Sequence, residues 1–476
     1  MVISFITLKL NLLTFGTELF GIWILLFSIW GFGSILDFGL STSLVKFLAE
    51  DYHKTKKINN HLINTSLMFL GLLGLIIVIT ALLVGYMVYV SNSALVPPTM
   101  RQEALIVLLL LGIGFYFKYI SIAFQATFEG MNNFVTTSKV TIVYHFMMLV
   151  SSVVVFVFDL TLPLLALMYA FSGIVFLIAY IITMFLSFRE FALRANYIRK
   201  DLIKSIFGYS MSVQLTTVIG AMFDPAIKFV IGMHQGAGVV SLYEIARRFA
   251  TAASQLFYFA FRILLPKAAI LENPEEYKAF LQTKATVNSA TGVVYSGAVF
   301  GIGSVIVALM IEYYFGYPEA FLIFLLLALP EAINNFGYSV YVFLLGIRQA
   351  LFLGGIQLFS LVMTLSGIAA GFYFFDSILG LFGFVVATFL SNILLLRYAK
   401  KVSGISISDY CKHADAFRLT VLLCMMVTTA LLIETSILTA VSGAVVLAVA
   451  TILLQFHNFS FYGKKIIQSL FQGKQV

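Results

Sequence analysis

Apolar residues fill this chain in long runs that short polar breaks separate. The breaks divide the sequence into thirteen apolar segments, at roughly 19–49, 61–90, 104–129, 138–159, 161–188, 203–232, 239–268, 283–312, 320–346, 349–375, 377–398, 415–434 and 436–458. A spanning helix needs about 20 apolar residues, and each segment approaches or exceeds that length. A shorter apolar piece covers residues 1–13. The pattern predicts an all-α polytopic membrane protein of about fourteen helices, the first of them short.

Composition agrees with this fold class and limits the function. The 476 residues are 61% hydrophobic and only 11% charged. The formal charge of +8 comes from cations concentrated in alternate short loops, a distribution that membrane topology explains better than a nucleic-acid partner. It predicts cytoplasmic loops for the basic set and cytoplasmic positions for both termini. There is no phosphate-binding glycine loop and no Cys/His cluster, so we expect neither an enzyme nor a metal or cofactor, with H+ or Na+ as a possible coupling ion.

Two basic loops divide the predicted helices into groups of six, six and two. We expect an N-terminal lobe at 1–195 (helices 1–6), a C-terminal lobe at 196–400 (helices 7–12), and two extra helices with a basic tail at 401–476. The halves are weakly similar, because FGIWILLFSI and VVSLYEIARR each follow a glycine-containing turn, the first at Gly16 and the second at Gly236 and Gly238. Parallel repeats of this kind are a known transporter design in which the substrate binds at the repeat interface.

The stretch from Gly208 to Arg262 carries polar residues at helical spacing on two apolar segments. The first stripe contains Ser210, Gln214, Thr217, Asp224 and Lys228, and the second contains Glu244, Arg248, Thr251, Gln255, Tyr258 and Arg262. A charge inside a bilayer is costly unless it is paired or lines a water-filled cavity. The two stripes therefore predict an interior polar path, as in a transporter.

Two interpretations of these charges stay open. Asp224 and Lys228 are one helical turn apart, as are Glu244 and Arg248, so each couple can neutralise itself within its own helix. Alternatively, with Arg247 and Arg262 added, cations outnumber carboxylates and form a wall that attracts a phosphate-bearing headgroup. Pro225 would bend its helix and give alternating access a hinge.

Further polar positions lie outside this stretch. Lys118 is deep in its segment, and Gln125 shares its stripe while Glu129 sits one position off it, which favours a cavity. Asp37 is expected near the cytoplasmic interface in a capping or gating role, and Glu331 follows Pro330 on a face that suits either helix–helix hydrogen bonds or the substrate path. The carboxylates Asp37, Glu129, Asp224, Glu244 and Glu331 are all candidate carriers of a coupling ion.

Four sequence runs resemble bacterial oligosaccharide flippases, the Wzx-type O-antigen and polysaccharide exporters of the multidrug/oligosaccharidyl-lipid/polysaccharide (MOP) superfamily. They are GTELFGIWILLFSI, ILDFGLSTSLVKFLAE, FDPAIKFVIGMHQGAGVVSLYEIARRF and RILLPKAA. The resemblance implies two six-helix lobes around a V-shaped cavity, rocker-switch access, and a bacterial cytoplasmic membrane. It also implies that Asp224, Tyr243, Arg247 and Arg248 face the cavity, with Asp37 near the inner gate. The sequence departs from the family pattern in one respect: only the short apolar piece at residues 1–13 precedes Gly16, where the family has a full first helix.

The resemblance implies a flippase for a polyprenyl-diphosphate-linked oligosaccharide of the undecaprenyl type, serving O-antigen, capsule or exopolysaccharide synthesis. Membrane lipids, a polysaccharide polymerase and glycosyltransferases are the expected partners. The alternatives are a cation-coupled multidrug exporter, a lipid II flippase, and a non-transporting scaffold of a glycan assembly complex. A drug exporter would need a cavity of net negative character, and a scaffold has no need of buried charged stripes.

Overall fold

The fold is known from a computed structural model of the 476-residue chain. The structure describes residues 2–33, 40–55, 57–90, 96–199, 202, 215–261, 273, 275–281, 303–347, 349–375 and 377–404. Asp37, Gln214 and Arg262, together with the two predicted C-terminal helices, lie outside these residues.

The described residues form helices and contain no strand. In chain order the helices are α1 (Val2–Gly33), α2 (Leu40–Thr55), α3 (Asn60–Val90), α4 (Arg101–Ile120), α5 (Ile122–Gly130), α6 (Phe134–Phe158), α7 (Leu162–Ser187), α8 (Leu215–Gln235), α9 (Ala237–Phe261), α10 (Gly303–Leu309), α11 (Ala320–Gly346), α12 (Ala350–Phe375) and α13 (Phe382–Ser403). Seven spans in this part of the chain are long and apolar enough to cross a membrane, and the bent α11 makes an eighth. The chain is an all-α polytopic membrane protein.

Two compact units make up the chain, Met1–Ser241 and Leu242–Val476. We call them unit 1 and unit 2. In unit 1, α4 packs closely against α7, and α1 contacts α4, α6 and α8. In unit 2, α13 packs against both α11 and α12.

The predicted segment at 19–49 falls on two of the described helices, and residues 34–39 between them lie outside the described part of the chain. Residues 2–33 form α1, which includes the predicted short first helix and is kinked at Gly16, and α2 begins at Leu40. With 16 residues, several of them charged, α2 is not among the candidate membrane spans of the described residues. The predicted segment at 104–129 lies within a single candidate span, Pro98–Gly130, in which α4 ends at Ile120 and α5 begins at Ile122.

Both predicted glycine turns are present. Gly16 has φ 69° and Gly236 has φ 83°, values in the left-handed region that favours glycine. Within unit 1 the two turns lie close together, because Ser241 Oγ donates to the Thr17 carbonyl at 2.6 Å. A side chain at Gly21 would collide with the Ala237 backbone, so this contact also depends on glycine.

One connection in unit 1 is firmly held although it is not helical for most of its length. Residues 189–199, which we call the strap, follow α7 and lie against the first turns of α3. A 3-10 turn at Ala195–Tyr197 is its only regular element. The strap falls in the longest basic loop of the sequence, the predicted boundary between the lobes.

Candidate functional site

A cavity of about 310 Å³ lies inside unit 1. It is lined by Phe27, Trp30, Gly31, Leu111, Gly114, Phe115, Lys118, Tyr119, Ile122, Gln125, Tyr144, Tyr169 and Phe176. These residues come from α1, α4, α5, α6 and α7. Lys118 and Gln125, both predicted from sequence to face a cavity, are therefore together in one.

Aromatic rings form most of the cavity wall, at seven of its thirteen lining positions. Trp30 stacks on Phe115 with ring centroids 5.4 Å apart, and Phe115 stacks on Tyr119 at 5.6 Å. Across the wall, Phe176 contacts Tyr144 at 4.9 Å. Such rings present flat apolar faces, and the Tyr and Trp members add polar edges.

Small residues let the helices around the cavity approach each other closely. A side chain at Gly114 of α4 would lie 2.8 Å from the Ala170 Cα of α7, and one at Gly173 would collide with the backbone of Gly114. A side chain at Gly112 would lie 2.7 Å from the Trp30 ring. Small residues are common where membrane helices pack backbone to backbone. These small residues therefore set the spacing between the helices of the cavity wall, including α4, which carries Lys118.

Lys118 is the charged member of the cavity lining. It lies in the last turn of α4, just before the break at Ser121, and it is exposed. Its ammonium group sits 4.8 Å from the centroid of the Tyr144 ring, an attractive cation–π distance. Within the part of the chain that the structure describes, no carboxylate forms an ion pair with Lys118. The cavity therefore carries a positive charge that no anionic side chain there balances.

Gln125 is held in place by a neighbour one helical turn away. Its Nε2 donates to Glu129 Oε1 at 2.7 Å, and Glu129 is half-buried. Glu129 does not line the cavity itself. Glu129 instead orients the side-chain amide of Gln125, which does line the cavity, by accepting its hydrogen bond.

The pair predicted on α8 forms beside this cavity. Lys228 Nζ lies 2.7 Å from Asp224 Oδ2, within one helix as expected. Pro225 remains inside α8, and its ring would lie 3.2 Å from a side chain at Gly31, a lining residue of the cavity. The α8 pair is thus on the helix that packs against the cavity wall of α1.

In unit 2 the charges on α9 are balanced by carboxylates. Arg248 Nε lies 2.9 Å from Glu244 Oε1 on the same helix, as the spacing predicted. Arg247 pairs with Glu331 of α11 at 3.3 Å. Counting Arg247 as surplus positive charge was therefore wrong, because Glu331 neutralises it. Glu331 joins two helices, one of the two roles left open for it.

Two further predicted site residues on α9, Tyr243 and Gln255, differ in their solvent exposure. Tyr243 is fully buried, so the expectation that it faces an open cavity is wrong for this structure. Gln255 is exposed.

Several residues in and around these sites were not predicted from the sequence. The two tryptophans of the chain, Trp23 and Trp30, are seven residues apart on α1, a spacing that places them on one helical face. That signal could have predicted an aromatic wall. In unit 2, α11 bends by 50° between Asn334 and Gly337, and Asn392 of α13 donates to Asn334 Oδ1 at 3.2 Å. No local pattern indicates this contact.

Comparison with known proteins identifies the family and the fold. The model for the polysaccharide biosynthesis protein family matches residues 1–271, more than half of the chain. A search of curated proteins gives no match.

Solved transporter structures share the fold at low sequence identity. A multidrug-resistance transporter of the MATE family and MOP superfamily, in an inward-facing conformation, has a TM-score of 0.66 and 14% identity over 84% of this chain and 94% of its own. The lipid II flippase MurJ, in an inward closed conformation, has a TM-score of 0.59 and 13% identity over 98% of this chain and 99% of its own.

A third structure is a MOP superfamily transporter from Pyrococcus furiosus whose binding pocket is described as having reverse polarity. Its TM-score is 0.53, with 14% identity over 85% of this chain and 94% of its own. The sequence match and the shared fold together lead to one assignment: the chain belongs to the polysaccharide biosynthesis protein family and has the fold of MOP superfamily transporters.

Proposed function

We propose that this protein is a flippase that moves a polyprenyl-diphosphate-linked oligosaccharide across a bacterial cytoplasmic membrane. The family match supports a role in polysaccharide synthesis, and the fold supports transport. In this proposal both termini are cytoplasmic, and the sugar chain leaves the cytoplasm to meet a polymerase on the other face. A coupling ion, H+ or Na+, would be carried by one of the five candidate carboxylates, Asp37, Glu129, Asp224, Glu244 and Glu331.

The unit 1 cavity is the observation that carries the proposal. Its one charged lining residue, Lys118, is a cation without a carboxylate partner in the described part of the chain, and it is surrounded by aromatic rings. A diphosphate needs a cation, and sugar rings stack on aromatic faces. The combination suits a substrate that joins an anionic group to a glycan. Gln125, oriented by Glu129, adds a hydrogen-bonding group for sugar hydroxyls.

A reconstitution experiment tests the proposal directly. The full chain is placed in liposomes with a polyprenyl-diphosphate oligosaccharide that carries a fluorescent label on its sugar. A membrane-impermeant reductant then quenches label exposed on the outer face. We expect quenching to pass the one-half limit of a static bilayer and to approach completion. Quenching that stops at the limit of protein-free liposomes would contradict the proposal.

The multidrug exporter is the second candidate, because a MATE family structure shares the fold with a TM-score of 0.66. Its substrates would be cationic drugs, and Lys118, which has no carboxylate partner among the described residues, disfavours a cation in the unit 1 cavity. Drug susceptibility of a deletion strain distinguishes the two, since loss of a drug exporter lowers the inhibitory drug concentration. A parallel liposome assay with lipid II distinguishes a lipid II flippase.

A further inference from the structure

The strap of unit 1 lies where two membrane spans end. The span of α7 ends at Ser187, two residues before the strap, and the span of α3 begins at Asn60, against which the strap packs. This position places residues 189–199 at the boundary between the hydrocarbon and the lipid headgroups.

Two asparagines on α3 hold the strap backbone as a neighbouring β-strand would. Asn60 Nδ2 donates to the Glu190 carbonyl at 2.8 Å, while Asn60 Oδ1 accepts from the Ala192 amide at 3.1 Å. One turn further, Asn64 Nδ2 donates to the Ala192 carbonyl at 2.9 Å, and Asn64 Oδ1 accepts from the Arg194 amide at 3.0 Å. Each amide therefore brackets the carbonyl of one residue and the N–H two residues later, which keeps this part of the strap extended.

Other contacts continue the attachment along α3. His61 Nδ1 lies 2.9 Å from the Tyr197 carbonyl, and the Arg199 amide donates to Thr65 Oγ1 at 2.9 Å. Phe191 is buried and contacts Phe124 and Phe185 edge-on. The strap is thus a fixed part of unit 1, with one aromatic anchor and a backbone that is satisfied by side chains.

The fixed backbone presents a row of cations. Arg189, Arg194 and Arg199 are all exposed, and so is Lys57 just before α3. The strap's acid, Glu190, is engaged, because its Oε1 accepts from the Ile58 amide at 3.1 Å. With four cations against this one carboxylate, the row carries a net positive charge, and the N-terminus of α3 adds the positive end of its dipole.

Exposed leucines accompany the cations. Leu193 is 44% exposed inside the strap, and Leu186 is 81% exposed in the last turn of α7. Apolar side chains beside arginines at a membrane boundary are typical of surfaces that contact lipid, with the side chains in the acyl region and the cations at the headgroups.

We propose that the strap is a binding site for the headgroups of anionic phospholipids. The backbone that carries the arginines is already fixed to α3, so binding a phosphate costs less entropy than it would on a flexible loop. Each guanidinium can hold a phosphate through two hydrogen bonds. Near a membrane surface, each cation contributes on the order of fivefold in affinity for anionic lipid.

Native mass spectrometry of the full-length protein in detergent tests the site. The purified protein is mixed with equal amounts of phosphatidylglycerol and phosphatidylcholine, and the lipids that remain bound are counted. We expect the wild type to retain phosphatidylglycerol preferentially. The triple variant R189Q/R194Q/R199Q should lose this preference by at least about tenfold, given the contribution of each cation.

Three further variants make the test specific. The variant R189K/R194K/R199K keeps the charge and should stay within about threefold of the wild type. The variant K400Q/K401Q removes two exposed cations at the end of α13 in unit 2, and should leave most of the preference. The variant N60A/N64A keeps every arginine but frees the strap backbone, so it should bind phosphatidylglycerol more weakly than wild type. Equal lipid selectivity in the wild type and the triple glutamine variant would overturn the proposal, as would a loss in K400Q/K401Q equal to that in the triple variant.

Discussion

The cavity lysine of unit 1 and two arginines of unit 2 differ in the groups that balance their charge. In unit 2, Arg247 and Arg248 each have a carboxylate within 3.3 Å. In the unit 1 cavity, Lys118 faces the Tyr144 ring and has no carboxylate partner among the described residues. Cations on membrane helices therefore have different roles in this protein. Arg247 joins two helices through its pair with Glu331, whereas a cation that lines a cavity without a carboxylate partner attracts an anion.

The comparison shows why counting charges along a sequence misjudges a site. Arg247 looked like surplus positive charge because its partner, Glu331, is 84 residues away. Lys118 looked like one of several buried cations, yet it is the charge that lines the cavity. The predictions below test this contrast, first through the cavity wall, then through each set of charges.

Disrupting the close contact between α4 and α7 should have the largest effect on stability. In Gly173→Ala the new Cβ would collide with the Gly114 carbonyl and lie 2.9 Å from the Gly114 Cα. Backbone atoms cannot move aside as a side-chain tip can, so we expect a loss of about 2–4 kcal/mol in stability. The thermal unfolding midpoint in detergent measures it. Gly220→Ala on α8 is the matched control, because no atom lies within 4 Å of its new Cβ, and it should be neutral or slightly stabilising. Equal midpoints for the two variants would show that the close approach is unimportant.

Removing Arg247 should mainly cost stability in unit 2. The Glu331 side chain is only 10% exposed, so Arg247→Ala leaves a buried carboxylate without its cation. We expect a loss of about 1–3 kcal/mol. The double variant R247A/E331Q should recover much of this stability, since a neutral amide is cheaper to bury. A normal unfolding midpoint for R247A together with lost flipping would instead favour direct substrate binding by Arg247.

Removing the charge of Lys118 should mainly cost transport. Lys118→Gln leaves the fold intact, because the side chain is exposed, but it takes the cation from the cavity. We expect the flipping rate in liposomes to fall by about tenfold, equivalent to about 1.4 kcal/mol. Lys118→Arg should retain most of the activity.

The matched control for this experiment is Lys139→Gln. Lys139 is an exposed cation on α6 that does not line the cavity, so its removal changes the net charge equally. Flipping should remain near the wild-type rate. If Lys118→Gln and Lys139→Gln lower the flipping rate equally, the loss comes from the change in net charge, and the position of Lys118 in the cavity does not matter for transport.

The sequence predicted much of the fold because membrane helices are long apolar runs. The segments predicted at 61–90, 138–159 and 161–188 correspond to α3, α6 and α7, with ends within four residues. The turns at Gly16 and Gly236 were also predictable from the sequence, since glycine tolerates positive φ. The segment at 19–49 was not divided into α1 and α2, because hydropathy alone does not separate these two helices.

The candidate site was predictable only where its contacts are local. Asp224–Lys228 and Glu244–Arg248 follow from a spacing of four on a helix. The Arg247–Glu331 pair joins separate helices, and the cavity's aromatic wall comes from several. The strap depends on hydrogen bonds between residues 128–136 positions apart. Such contacts depend on the packing of helices and leave no periodic signal in the chain.

The smallest expected effect concerns the ring beneath Lys118. Tyr144→Leu removes the π face that lies 4.8 Å from the ammonium group but leaves the cation in place. A cation–π contact at a partly exposed site is worth about 0.5–1 kcal/mol, so flipping should fall by about two- to fivefold. The matched variant Tyr144→Phe keeps the ring and should transport at a rate close to the wild type. If Tyr144→Phe loses as much as Tyr144→Leu, the hydroxyl rather than the ring face matters, and Tyr144 would act on the substrate as a hydrogen-bonding group instead of positioning Lys118.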